Sequence, residues 1–176
     1  MVYYFYMQKK VVFIIAQKDF RDEELFGPKQ LFEARGVLVT IAAKTRHKAS
    51  SRMGVVIQPQ LAVPEVEAKD FDGIIFVGGP GAAAYLDDTD VKKIAWEFKK
   101  AGKLIGASCF APAILANAGV LISKTVTGFP TQEQNLRDKG ADYTGMPVEV
   151  DGNIITAKDL NFLKEFSKTF IFHLEA

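Results

Sequence analysis

The chain is short of the residues that build cross-links and ligand cages: of 176 residues, one is cysteine and two are histidine. A single thiol cannot close an internal disulfide, which fits a reducing compartment and a cytoplasmic location. One Cys and two His cannot assemble a Cys/His zinc cage within one chain, so no metal is expected. An excess of one charge is lacking too, since 22 Lys and Arg against 21 Asp and Glu leave +1. A general nucleic-acid binder would carry a basic excess or stripe, and the basic cluster Lys44–Arg52 reads as a solvated loop. No apolar run reaches the ~18 residues that a membrane span needs. No repeat, low-complexity tract or Pro/Gly/Ser linker divides the sequence. Ahead of Lys9 and Lys10, the run Met1–Tyr6 has no basic n-region and its charges follow it, the wrong order for a secretory signal. It reads as a tail or start-site artefact before a second start candidate, Met7. That leaves 1–7 as tail and 8–176 as one domain, within the usual ~100–200 residues.

What is present is alternation. Val11–Ala16, Val37–Ala43, Gly73–Val77 and Leu104–Ala107 are continuous apolar runs, the pattern of strands covered on both faces. Helical patterns separate them: Glu23–Arg35, stopped by Gly36, then a stretch with Val91, Ile94, Ala95 and Phe98 on one face, then Phe110–Ala118, ended by Gly119. Val55–Ile57 and Leu61–Val63 suggest short edge strands, and Thr125–Phe129 a further strand before a helix at Gln132–Lys139. Asp151-Gly152 marks a hairpin between Val148–Val150 and Ile154–Thr156, and Asp159–Leu174 closes the chain as a helix. Strand–helix alternation of this kind predicts a parallel sheet with helices on both faces. Right-handed crossovers gather the strand C-termini, and with them any ligand site, on one edge.

Three segments reach that edge. In Gly106–Gly119, Cys109 stands between strand and helix with Ala107 and Ala111 two residues either side, the small flanks a sharp nucleophile turn needs. N–H groups opening the helix would favour a thiolate there. The competing reading is a buried, inert cysteine packed as a small hydrophobe. In Phe20–Pro28, Glu24 falls in the first helical turn with Asp22 as the expected N-cap, and Pro28 removes the donor for the carbonyl of residue 24. Standing alone, Glu24 would be an ordinary dipole-complementing acid. In Val77–Gly81, Gly78 and Gly79 offer backbone N–H groups for an oxyanion, or form a plain tight turn.

In order and spacing, these segments resemble the PfpI-type intracellular protease family of the DJ-1 superfamily. Phe20–Pro28 is similar to its strand-one Glu motif, Phe71–Gly79 to its Asp-to-Gly-Gly segment, Ala107–Gly119 to its nucleophile elbow and Val148–Asn153 to its late hairpin. The likeness runs from Gln8 to Phe170. It implies a flavodoxin-like three-layer α/β sandwich, with Cys109 as reactive thiol and Glu24 beside it. It also implies backbone donors at Gly78, Gly79 and Phe110, and a homo-oligomer, dimer or higher. A protonated Glu24 would donate to the Cys109 thiolate and hold its pKa low.

The sequence departs from the family at the histidines. Phe110 stands directly after the cysteine, and Phe129 where the other branch supplies its base, so Phe129 and Pro130 are expected to line a dry pocket. Amide hydrolysis needs a group to protonate the leaving amine, and neither Phe can do so. His47, in the loop after the second strand, is the one histidine with a path to the site; His173 ends the last helix. The expectation is therefore a cofactor-free, cysteine-dependent enzyme of PfpI type. It would act on a small electrophile, glyoxalase- or deglycase-like, more readily than on a peptide. The alternative is a non-catalytic, redox-responsive stress protein whose Cys109 senses oxidants.

Overall fold

The computed structural model describes residues 8–176; the expected tail at 1–7 and the Met7 start lie outside them. In chain order the described elements are β1 (Lys10–Ile14), β2 (Lys18–Phe20), α1 (Asp22–Ala34), β3 (Leu38–Ala43), β4 (Ala49–Ser51), β5 (Val56–Ile57), β6 (Leu61–Ala62), β7 (Gly73–Phe76) and α2 (Thr89–Lys100). They continue with β8 (Leu104–Ser108), α3 (Pro112–Asn117), β9 (Thr125–Val126), α4 (Glu133–Asp138), β10 (Asp142–Tyr143), β11 (Val148–Asp151), β12 (Ile154–Ala157) and α5 (Leu163–Glu175).

The main sheet has the order β11-β12-β8-β7-β1-β3-β6. Every pairing is parallel except the β11–β12 hairpin. Phe13 pairs with Ile41 on one side and Ile75 on the other, so the apolar runs lie in register at the centre. Successive side chains of β1 then divide between two cores. Val11, Phe13 and Ile15 pack with Phe32 of α1 and with Phe166, Phe170 and Leu174 of α5. Val12 and Ile14 pack with Ile94 and Phe98 of α2 and Ile114 and Leu115 of α3. Helices on both faces of a mostly parallel sheet make the flavodoxin-like sandwich. No helix among the described residues is long and apolar enough to cross a membrane.

Several elements differ from the sequence reading. The strand expected at Thr125–Phe129 is only Thr125–Val126, paired with β10 away from the main sheet. The chain turns there because the Phe129 N–H donates to the Cys109 carbonyl at 2.7 Å. The helix expected from Phe110 starts at Pro112, since Phe110 and Ala111 are spent in the turn, with Ala111 N–H on the Ser108 carbonyl at 2.9 Å. The last helix begins as a 3-10 turn at Leu160–Phe162, its end capped by the Asp159 carboxylate accepting from the Asn161 N–H at 2.8 Å. The strands β2, β4 and β5 form a small sheet beside the first loop, of which the sequence pattern marks only β5.

Two glycines let α5 approach the sheet. A Cβ on Gly106 would sit 2.8 Å from Phe166 and 2.9 Å from Phe170, and one on Gly73 2.9 Å from Phe170. Gly106→Ala should therefore overpack this face and lower the unfolding free energy by about 1–3 kcal/mol, read from urea midpoints with an unchanged m-value.

Candidate active site

Strands β7, β1 and β8 adjoin in the sheet, so the loops that follow them emerge side by side. The chain leaves β1 toward β3 and later returns to its other side at β7, which makes this edge the point where strand order reverses.

Cys109 takes the turn after β8 with φ 56°, in the left-handed region that a non-glycine residue enters at a cost of about 1–3 kcal/mol. Three hydrogen bonds hold the turn. Cys109 N–H donates to the Ala157 carbonyl at 3.0 Å, its own carbonyl accepts from Phe129, and Ala111 N–H closes back on Ser108. Ala107 and Ala111 are fully buried, as the small flanks predict. The Phe110 N–H faces the sulfur and acts to lower the thiol pKa. Cys109 itself is only 5% exposed.

Glu24 lies in the first turn of α1 and is 1% exposed. Arg21, not the expected Asp22, is the N-cap; Asp22 sits one residue inside and its carboxylate accepts from the Met53 N–H at 3.2 Å. Helix α1 runs on through Pro28. Glu24 Oε2 accepts from Ser108 Oγ at 2.5 Å and from the Gly78 N–H at 2.9 Å. Oε1 is buried with no hydrogen-bond donor among the described residues, and the carboxyl interacts with the Cys109 thiol more weakly than with Ser108 or Gly78. Gly78 has to be glycine, because a Cβ would fall 2.5 Å from Oε2 and 2.8 Å from the Ser108 carbonyl. At Gly79 (φ 105°) a Cβ would strike the backbone nitrogen and Cβ of Arg21 at 2.8 and 2.9 Å, so this loop packs directly on the start of α1.

Burial raises the Glu24 carboxyl to about 7, against the lowering effects of Ser108, Gly78, Cys109 and Arg21. The Cys109 thiol is pushed up to about 12, first by burial and then by the negative charge of Glu24. This corrects the expectation of an intrinsically lowered thiol. Near neutrality it is the carboxyl that exchanges a proton, while the thiol keeps its own.

A cleft of about 270 Å³ opens over the sulfur, lined by Arg21, Cys109, Phe129, Asp159, Leu160 and Asn161. A larger groove of about 400 Å³ between α1 and α5 does not include Cys109 or Glu24 in its lining. Of the expected site residues, Cys109 and Glu24 are brought together, and Phe129 forms a wall. Pro130 instead begins an exposed turn and is not part of the lining. The Gly78 N–H is not an oxyanion donor, because Glu24 occupies it. His47 is exposed in its loop, with its carbonyl accepting from Gln17 Nε2 at 2.6 Å, and does not line the cleft. Among the described residues no three His, Cys, Asp or Glu side chains gather as a metal cage. Sequence reasoning missed Ser108 and Arg21. A hydroxyl at the last position of a fully buried strand signals a buried acceptor, and this was the available clue to Ser108.

The family model described as DJ-1/PfpI family matches residues 9–172, and the chain belongs to that family. It is 38% identical to the uncharacterized protein MJ0967 of Methanocaldococcus jannaschii over 160 residues, 89% of this chain and 78% of the relative. It is 27% identical to the deglycase PYRAB04690 of Pyrococcus abyssi, covering 91% of this chain and 96% of that one. Its fold is similar to the crystal structure of a ThiJ/PfpI domain protein from Brachyspira murdochii, with TM-score 0.92, 28% identity and coverage of 95% and 96%.

The raised carboxyl has a stability signature. Its folded pKa, about 7, exceeds the ordinary 4.5, so its contribution is fully present below pH 4.5 and is lost as pH rises through 7. Glu24→Gln removes that loss. Its stability relative to wild type should improve by about 3 kcal/mol between pH 4.5 and 8, measured by urea unfolding across the series. A difference that stays flat with pH would show that Glu24 ionises normally.

Proposed function

We propose that this member of the DJ-1/PfpI family is a cysteine-dependent enzyme acting on a small carbonyl electrophile, glyoxalase- or deglycase-like rather than a peptidase. The observation that carries the reading is the buried Glu24 carboxyl, which interacts with the Cys109 thiol and whose Oε1 has no hydrogen-bond donor among the described residues. A carboxyl poised near pH 7 can accept the thiol proton and return it, the requirement for general acid–base work at neutral pH.

In the first step Sγ bonds to the carbonyl carbon as the C=O π bond breaks, and the S–H proton passes to Glu24, which hands it on to the former carbonyl oxygen to make a hydroxyl. On a dicarbonyl adduct, Glu24 would next remove the proton from the sulfur-bearing carbon and deliver it to the neighbouring carbonyl carbon, while the hydroxyl proton passes to the neighbouring oxygen and the carbonyl reforms on the sulfur-bearing carbon. That isomerisation leaves a thioester for water to cleave, with no external oxidant or reductant. One carboxyl suffices throughout. Peptide cleavage asks for a second group at the leaving nitrogen, and Phe110 and Phe129 supply none. The name of the Pyrococcus relative points the same way. A homo-oligomer in the cytoplasm belongs to this reading, carried by family membership and by the cysteine count.

The pH dependence of Cys109 alkylation by iodoacetamide tests the pair. In wild type the rate should rise with an inflection near 7, where the pair loses its first proton. Glu24→Gln should erase that inflection and speed labelling at pH 7.5 severalfold, since it removes the negative charge that raises the thiol. Turnover of a dicarbonyl substrate should vanish in Cys109→Ala and in Glu24→Gln. Labelling unchanged by Glu24→Gln would remove the mechanism. Oxidation of Cys109 by dilute peroxide with no turnover of any carbonyl compound would favour the oxidant sensor instead.

A further inference from the structure

The cleft contains a cation that the proton transfer does not use. Arg21 lines it together with Cys109 and Phe129. Its position is fixed by the backbone: its N–H donates to the Gly78 carbonyl at 3.3 Å, its carbonyl accepts from the Leu25 N–H at 3.2 Å, and Gly79 packs against its Cβ. The side chain is thus free to serve another purpose without loosening α1.

Its guanidinium is under-used. Nε is buried and has no acceptor among the described residues. The nearest ion-pair partner is Glu23 Oε2 at 3.8 Å, beyond hydrogen-bond reach, on a largely exposed side chain. Arg35, Arg46 and Arg137, by contrast, each meet a carboxylate at 2.9 Å or less. A buried donor left unpaired is costly, and evolution keeps such groups where a ligand completes them. The other acid on the cleft, Asp159, has its Oδ1 engaged with the Asn161 N–H. Glu24 Oε1 is another unpaired buried polar atom, on a carboxyl that interacts with the thiol. Arg21 and Glu24 both act on the thiol, with opposite charge: a cation that can take an anion, and a carboxyl that can move a proton.

We infer that Arg21 anchors a carboxylate on the compound that Cys109 attacks, so that the site takes a short oxo acid, with its carbonyl carbon one or two bonds from the carboxylate, in preference to a neutral aldehyde. This rests on the proposed thiol chemistry and names its substrate class. Arg presents a planar fork that grips both oxygens of a carboxylate, which fixes the plane of the adjoining carbonyl as well as its distance. The cleft, about 270 Å³, lies below the ~300–1,000 Å³ of drug-sized ligand pockets, which suits a compound of a few carbons. Phe129 and Leu160 give its remaining carbons an apolar wall. The addition balances without redox chemistry: the S–C bond forms, the C=O π bond breaks, and the thiol proton travels through Glu24 to the oxygen.

Iodoacetate and iodoacetamide present the same electrophilic carbon to the sulfur and differ in carboxylate against neutral amide. Labelling of intact protein, read by mass spectrometry, should be faster with iodoacetate in wild type and should saturate with its concentration. In Arg21→Gln the iodoacetate-to-iodoacetamide ratio should fall by roughly tenfold or more, the worth of a charge-assisted hydrogen bond, with Arg21→Lys in between. Because both reagents report on one thiol, the ratio cancels any change in thiol reactivity or folding. Glyoxylate should slow iodoacetamide labelling in wild type and not in Arg21→Gln. Glu24-dependent labelling with no preference for iodoacetate, or a ratio and protection untouched by Arg21→Gln, overturns this inference alone. A thiol that reacts with neither reagent overturns the proposed function and this inference with it.

Discussion

The candidate site depends on one buried carboxylate oxygen. Glu24 Oε2 accepts from Ser108 at the end of β8 and from Gly78 after β7, while its own helix follows β1. Three crossovers from three adjacent strands are thereby tied at a single atom. Carboxyls are rarely buried to this degree unless paired, and here two donors satisfy one oxygen and leave the other open. That half-satisfied state costs stability, as the raised pKa shows. It is the kind of local violation that folded proteins retain where chemistry needs it.

The arrangement also decides which proton moves. With no histidine in the cleft, the proton from sulfur has one nearby destination. Burial disfavours both anions, so the pair keeps one proton over the wide range from about 7 to about 12. Within that range the proton rests on sulfur and the charge on the carboxyl, and the Phe110 N–H works against that order by favouring a thiolate. A histidine pair would remain a cation–anion couple and could protonate a departing amine. A shared proton between sulfur and carboxyl suits reversible addition to a carbonyl, where the proton removed is the proton returned.

The legible parts of the sequence are those set by local pattern. The apolar runs at β1, β3, β7 and β8 declare a sheet covered on both sides, and Asp151-Gly152 declares its hairpin. The small residues around Cys109 and the Glu24-to-Pro28 spacing are local signals too, and they single out the two principal site residues. What stays illegible depends on distant partners. Strands β2 and β4 are three residues each and exist because Lys18 and Phe20 meet Ser50 and Ser51. Gly78 reads as a free donor, since a sequence does not show which acceptor claims an N–H. The thiol shift has the opposite sign to the expected one because depth of burial, which outweighs the Phe110 N–H, is a property of packing. Arg21 escapes notice because the helix begins one residue earlier than the acidic run suggests.

The strain at Cys109 ties the sulfur to the cleft's own walls. Its left-handed backbone is held from two sides, by Ala157 at the end of β12 and by Phe129 after β9. Both holders continue into the lining: Phe129 is itself a wall, and Ala157 leads within two residues to Asp159, Leu160 and Asn161 on the rim. A molecule entering the cleft therefore bears on the same segments that keep the turn in its costly conformation. Since a shift of either wall would lengthen a hydrogen bond to Cys109, occupancy of the cleft and placement of the sulfur are mechanically one variable. That coupling does not depend on the side chain at position 129. What Phe129 contributes to Cys109 is its backbone N–H, which any side chain but proline would supply.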